Sequence, residues 1–217
     1  MEFGVPQEII VAIIGVETQY GRNSGKFSAL EALTTLAFNY PPRAEFFRTE
    51  LENYLLLVRE QEWELFDIRS SYAGALGIPQ FMPSSYLKYA KDYNNDDLID
   101  LLNDPLDAIG SVANYLKQHG WQKDGAITVR AHVNEQIFSA NTNAARSLED
   151  WAKAGVIPTV KMAHDDSVKL LDFTVSNGKE YWLTFNNFRV ITLYNRSNFY
   201  AMSVFQLADA LRHAREQ

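Results

Sequence analysis

Apolar residues in the first half of the chain recur at helical spacing, and capping or breaker residues punctuate the runs. Pro6 suits a first helical position, and the helical run over residues 7–20 stops at Gly21. Ser28-Ala29-Leu30-Glu31 has the Ser-x-x-Glu form of a capping box and opens a second helix towards Phe38. After the break at Pro41-Pro42, residues 43–60 carry Phe46, Phe47, Leu51, Tyr54, Leu55 and Val58 at helical intervals. Asp104-Pro105 starts another helix, which ends at His119-Gly120.

The pattern changes after Trp121. Residues 127–133 and 168–175 read as strands, and Asn177-Gly178 is a two-residue hairpin signal before a strand at 181–185. Residues 190–193 read as a further strand. A short helix over 148–154 interrupts them, with Ser147 as cap and Gly155 as stop. From 200 to 214 the pattern is helical again. The prediction is an α+β protein, a mostly helical core at 1–125 with a small β-rich insertion at 126–190. Residues 191–217 return to the core.

Composition narrows the chemistry. A chain of 217 residues, 47% apolar and 22% charged, is an ordinary globular protein rather than a disordered or collagenous one. With no cysteine, disulfides, thiolate zinc, iron–sulfur clusters and cysteine nucleophiles are excluded. The formal charge of -7 argues against non-specific nucleic-acid binding, which needs excess Lys and Arg to neutralise phosphates. The longest apolar run, from Ile9 to Gly15, is far short of the roughly 20 residues that span a bilayer. No signal peptide is present, so either the protein is cytosolic or this chain is a mature or trimmed form, and Met1-Glu2-Phe3 reads as a start added to a truncated chain or as a natural start. His119, His132, His164 and His213 are scattered without metal-ligand spacing, and no phosphate loop occurs.

Two segments carry candidate chemistry. Ile10, Ile13 and Ile14 lie seven, four and three positions before Glu17, so this carboxylate shares their apolar face and is expected to project to the core side. It also falls at the helix C-terminus, where the macrodipole disfavours negative charge. Both effects favour the protonated form, as a general acid requires. The alternative reading has Glu17 reaching solvent at the helix end or pairing with Arg22. The second segment, residues 71–86, holds two glycines and two prolines around Gln80 and describes a tight loop where backbone can approach a ligand.

Glu17-Thr18-Gln19-Tyr20-Gly21, followed about fifty residues on by Gly74-Ala75-Leu76-Gly77-Ile78-Pro79-Gln80-Phe81-Met82-Pro83-Ser84-Ser85-Tyr86, resembles the lytic murein transglycosylases of the lysozyme-like superfamily. The resemblance extends to residues 36–41, 104–115 and 194–202, so five blocks in order cover nearly the whole chain. It implies a lysozyme-like core and cleavage of the β-1,4 bond between N-acetylmuramic acid and N-acetylglucosamine in peptidoglycan. Glu17 would protonate the glycosidic oxygen and then, as carboxylate, deprotonate the muramoyl C6 hydroxyl that attacks C1. The product would be a 1,6-anhydromuramoyl end, with no water consumed.

Most glycosidases need two carboxylates. The loop at 71–86 contains no Asp or Glu, which is compatible with a one-carboxylate mechanism. The resemblance gives substrate-binding roles to Ser71 and Gln80 beside the scissile bond and to Tyr194, Asn195 and Tyr200 along the groove. Read without it, Tyr200 packs in the core at the start of the last helix.

Asp92-Tyr93-Asn94-Asn95-Asp96-Asp97-Leu98 sets oxygen side chains at positions one, three and five of an EF-hand-like loop. Position six is Asp97 where glycine would turn the chain, and position twelve is Asn103 where glutamate would close it. The resemblance implies a longer calcium loop, with Asp92, Asn94, Asp96, the Leu98 carbonyl and Asp107 as ligands and a structural role for the ion. No cofactor would enter the chemistry. The loop is one residue longer than the family's, and its plain reading is a solvated acidic turn whose Asp104 caps the next helix.

The resemblance further implies a monomer acting on glycan strands in the periplasm, its native form anchored to the outer membrane by a lipidated N-terminal cysteine that this chain lacks. Two rival readings are a hydrolytic muramidase on the same scaffold and a catalytically silent murein-binding module.

Overall fold

Helix α1 spans Gln7–Thr18 and presents Ile9, Ala12 and Ile13 as fully buried residues. The computed structural model describes residues 2–134, 144–163 and 167–217, so Met1 and His164 lie outside the described residues. The two-residue strand β1 (Phe27–Ser28) runs into α2 (Ala29–Asn39), whose first turn is capped by Ser28 Oγ accepting from the Glu31 backbone at 3.4 Å. A 3-10 turn at Pro41–Arg43 leads into α3 (Ala44–Glu60). Strand β2 (Arg69–Ser70) pairs antiparallel with β1. Helices α4 (Pro83–Tyr89) and α5 (Pro105–Gln118) follow. Residues 3–118 together with 206–217 form one compact unit, and residues 119–205 a second.

In the first unit α1 packs on α5, α2 on α3, and α3 and α5 on α4. Leu33, Tyr54, Leu57, Leu76, Tyr86, Leu101 and Leu116 fill the centre. The apolar spacing of α3 indicated a stripe including Phe46 and Leu55, but both are exposed. The buried stripe is Phe47, Glu50, Tyr54 and Leu57. Glu50 replaces what would be an apolar residue because it caps another helix. Met82, at the N-cap of α4, supplies no side-chain bond. The two Glu50 carboxylate oxygens instead accept from the Ser84 backbone N–H (3.0 Å) and hydroxyl (2.7 Å).

The second unit is built on a four-stranded antiparallel sheet of order β4-β3-β6-β5, from β3 (Thr128–Val133), β4 (Val156–Pro158), β5 (Lys169–Val175) and β6 (Gly178–Thr184). Val129 and Leu170 both pair with Leu183 and so face the same side, where Trp151 of α6 (Leu148–Lys153) is buried against them. Ser147 caps α6 as the sequence indicated, accepting from Asp150 N at 3.0 Å. The β5–β6 turn differs by one residue from expectation. Val175 pairs with Gly178, so Ser176-Asn177 form the turn and the positive φ of 123° falls on Gly178.

Residues 190–193 are not a strand. They belong to α7 (Asn186–Tyr194), because Asn187, Phe188, Val190 and Ile191 form a buried helical stripe that a four-residue apolar run conceals. Helix α8 (Asn198–Glu216) begins in the second unit and ends in the first, where Arg215 pairs with the nearly buried Glu8 at 2.9 Å. No helix among the described residues is long and apolar enough to cross a membrane.

Candidate active site

The helix that carries Glu17 ends one residue later, two residues short of the sequence expectation. Gln19, Tyr20 and Gly21 take successive positive φ angles of 52°, 62° and 82°, which no α-helix continues through. Their backbone closes the helix: Gln19 N donates to Gly15 O at 3.0 Å and Tyr20 N to Ile14 O at 3.4 Å. A Cβ at Gly15 would meet the Tyr20 ring at 2.9 Å, so the glycine leaves room for the ring to lie over the helix end.

Glu17 is half-buried rather than fully inward. The expectation from spacing is corrected by one position, since the residue continuing the Ile10–Ile14 stripe into the core is Thr18, at 0% exposure. Glu17 follows Ile13 at the edge of that stripe. Thr18 Oγ1 donates towards Ile78 O (2.9 Å) and Ile14 O (3.2 Å) and accepts from Gly21 N (3.0 Å). The end of α1 is thereby fastened to the loop at 71–86.

That loop is held from within. Ser71 Oγ accepts from the backbone of Ala73 (3.3 Å) and Ala75 (3.1 Å), which folds the chain tightly around Gly74. Leu76 and Phe81 exchange two backbone bonds of 2.8 and 3.1 Å. Gln80 adopts a positive φ of 53° and donates its amide nitrogen to Ser24 O and Gly77 O, both at 2.9 Å. Its donor end is therefore committed to backbone, and the carbonyl oxygen is the part suited to a ligand.

Glu17, Ser71 and Gln80 are brought to one end of the first unit by these ties. Tyr194, Asn195 and Tyr200 belong to the second unit, where the rings of Tyr194 and Tyr200 lie parallel within 9° at 6.5 Å between centroids. Asn195 is exposed and ends α7, while Ser197 Oγ caps the following helix at Tyr200 N (3.2 Å). Tyr200 is half-buried.

Residue spacing alone did not single out Thr18, Phe27 or Tyr72. A cavity of about 320 Å3 opens over α2, lined by Phe27, Glu31 and Tyr72 among others, with Phe27 56% and Tyr72 75% exposed. Large aromatic faces held open to solvent suit the apolar sides of sugar rings. Nothing in the residue spacing marked them, because the β1–β2 pair that they flank is two residues long and leaves no periodic pattern.

The acidic loop is closed on itself by its own backbone. Asp92 accepts from Asn95 (2.7 Å), Asp96 (3.3 Å) and Asp97 (2.9 Å), and Asp96 from Leu98 (3.0 Å). The buried Asp107 accepts from Tyr93 N and Asp100 N, each at 2.8 Å, clamping both sides of the loop to α5. Asp104 caps α5 through Leu106 N at 2.7 Å. Asp96 and Asp104 both reach one atom, the Asn94 amide nitrogen, at 2.9 and 2.8 Å. Among the described residues no three acidic or histidine side chains form a metal cluster. The donor set is nevertheless all hard oxygen, which fits calcium and does not fit a thiolate- or imidazole-seeking metal.

Comparison with known proteins places these features in a family. The family described as Transglycosylase SLT domain matches residues 1–209. The chain is 46% identical over 215 residues to the membrane-bound lytic murein transglycosylase B of Escherichia coli (strain K12), covering 99% of this chain and 59% of that protein. Soluble lytic transglycosylase SltB1 from Pseudomonas aeruginosa is 47% identical with a TM-score of 0.91, over 100% of this chain and 73% of that one. The Escherichia coli lytic transglycosylase Slt35, solved in complex with calcium, is 46% identical with a TM-score of 0.93, over 100% and 69%. The sequence motifs, the lysozyme-like architecture and a match over residues 1–209 agree: the chain belongs to the transglycosylase SLT domain family.

Proposed function

We propose that this chain is the catalytic part of a lytic murein transglycosylase acting on peptidoglycan glycan strands. Glu17 gives its proton to the bridging oxygen as the bond from the muramoyl C1 breaks, and the departing sugar leaves with a hydroxyl. The resulting carboxylate takes the proton of the muramoyl C6 hydroxyl as that oxygen bonds to C1, which returns Glu17 to its acid form. No water enters, and the muramoyl end closes as a 1,6-anhydro ring.

The observation that carries this reading is the tie between Thr18 and Ile78, which fixes the Glu17 end of α1 against a loop with no carboxylate of its own. Gln80 O and the Ser71 hydroxyl are the polar groups offered to the sugar there, and Tyr194, Asn195 and Tyr200 are further substrate-binding residues. The catalytic core comprises residues 1–125 and 191–217, with 126–190 inserted. The protein works as a monomer in the periplasm.

Calcium, where bound, is held by Asp92, Asn94, Asp96, the Leu98 carbonyl and Asp107, and supplies charge neutralisation to the acidic loop. It takes no part in proton transfer.

Mass analysis of murein digests tests the reading. The unmodified chain should release disaccharide products lighter by one water than hydrolysis gives, and Glu17→Gln should release none while still binding murein. Hydrated reducing ends as the sole product would make it a muramidase instead. An unmodified chain that binds murein but never solubilises it would be a binding module.

A further inference from the structure

The second unit contains a cavity of about 510 Å3 on the face of its sheet opposite Trp151. Lys169 of β5 pairs in register with Thr184 of β6, so both turn towards that face while Leu170 and Leu183 turn to the Trp151 side. Leu171 and Phe188 give the cavity apolar surface, and Lys169, Arg189, Asn186 and Gln122 give it polar groups. The chain carries 27 acidic against 20 basic residues, yet no described residue lining this cavity is acidic and two are cationic.

The arginine is set in place. Asn186 donates its amide nitrogen to Gly120 O at 2.8 Å, and its oxygen accepts from Arg189 Nη2 at 3.0 Å. One nitrogen of the guanidinium is thus anchored, and the rest of its planar fork remains for a ligand oxygen pair. Lys169 makes no ion pair among the described residues. Two cations, neighbouring amides and an apolar floor match a carboxylate carried on an amide backbone better than they match a neutral sugar.

We infer that this cavity binds the carboxylate of a short acidic peptide, and therefore that the peptide stems of murein, not only its glycan, are recognised by the second unit. The identification of the peptide as a murein stem rests on the function proposed above.

The test is calorimetric titration of the full chain with a free stem pentapeptide, its carboxyl-amidated form, and acetate. The pentapeptide should bind, and Lys169→Gln with Arg189→Gln should weaken it by about tenfold or more, as should amidation. Lys169→Arg should retain binding, and the glutamine pair should keep the melting temperature of the unmodified chain, which separates loss of charge from loss of fold. Acetate at equal concentration should not displace the peptide. An affinity unchanged by the glutamine pair overturns the inference, and so does acetate competing as well as the peptide, which would mean a small-anion site only. Glu17→Gln should bind the peptide like the unmodified chain. Murein solubilised without peptide binding would sink this inference alone, whereas peptide binding without any solubilisation would sink the proposed activity alone.

Discussion

The hydroxyl of Thr18 donates to the carbonyl of Ile78 at 2.9 Å, joining the last residue of α1 to a loop sixty positions away. Thr18 is buried and also accepts from Gly21 N, so its oxygen serves three backbone partners. On the proposed function it is a positioning residue for Glu17. Thr18→Val keeps the shape but leaves Ile78 O and Gly21 N unpaired, for a loss of about 1–3 kcal/mol in unfolding free energy. Turnover of murein should fall in kcat with KM little changed, and Thr18→Ser should restore most of it. A kcat equal to that of the unmodified chain in the valine variant would show that the link does not orient Glu17.

Glu50 caps α4 from a neighbouring helix, both carboxylate oxygens taken by Ser84. Because it is only 3% exposed, Glu50→Ala removes a charge-assisted pair of bonds and strands the Ser84 donors. Thermal and denaturant unfolding should show a loss of about 2–4 kcal/mol, with Glu50→Gln losing less. An alanine variant as stable as the unmodified chain would remove the capping role.

Gly25 stands at φ +120°, and a Cβ there would lie 2.1 Å from the backbone of Ser70. Gly25→Ala must therefore displace either β2 or Ser24, whose carbonyl holds Gln80. The expected outcome is a melting temperature lowered by several degrees, corresponding to at least about 1 kcal/mol, together with weakened murein binding. Unchanged binding would argue that Gln80 is not needed in its observed position.

Two buried tyrosines make stability fall at alkaline pH. Burial pushes the Tyr54 phenol up from 10.0 to about 12, and burial also raises Tyr86. Both donate to backbone, Tyr54 to Leu65 O at 2.7 Å and Tyr86 to Ile99 O at 2.9 Å. The unfolded chain sheds these protons near pH 10 while the folded one keeps them, so unfolding releases protons above that pH. Their contribution is fully present below pH 10 and is lost as pH rises towards 12. Denaturant midpoints measured from pH 8 to 12 should fall above 10, and less steeply in Tyr54→Phe compared with its own value at pH 8.

Calcium should raise the melting temperature of the unmodified chain and chelator should reverse the rise, while magnesium, which demands tighter octahedral geometry, should do less. Asp92→Asn with Asp96→Asn should abolish the shift. A melting temperature indifferent to calcium would mean that backbone N–H groups alone satisfy these carboxylates, as the bonds to Asp92 and Asp107 already do in part.

Local signals determined much of this protein. The Ser28 and Ser147 caps, the α2, α3 and α5 helices, and the β5–β6 hairpin were all legible, because each depends on neighbours within a few residues. The family resemblance in ordered motifs was likewise a property of the sequence. Periodicity placed Glu17 on the apolar face and was one position off, since the i, i+4 step from Ile10 and Ile14 leads to Thr18 and leaves Glu17 at the edge of the stripe. The same rule applied to α3 would have marked Glu50, a buried carboxylate with a capping role. A carboxylate on an apolar stripe therefore signals a partner from elsewhere as readily as it signals catalysis.

Only the tertiary structure decided which residues meet. Thr18 with Ile78, Gln80 with Ser24 and Glu50 with Ser84 are separated by thirty-four to sixty positions. No local propensity encodes such pairs. They form because the buried hydroxyl, amide and carboxylate must each find a partner once water is excluded, and the packed core leaves only those partners within reach.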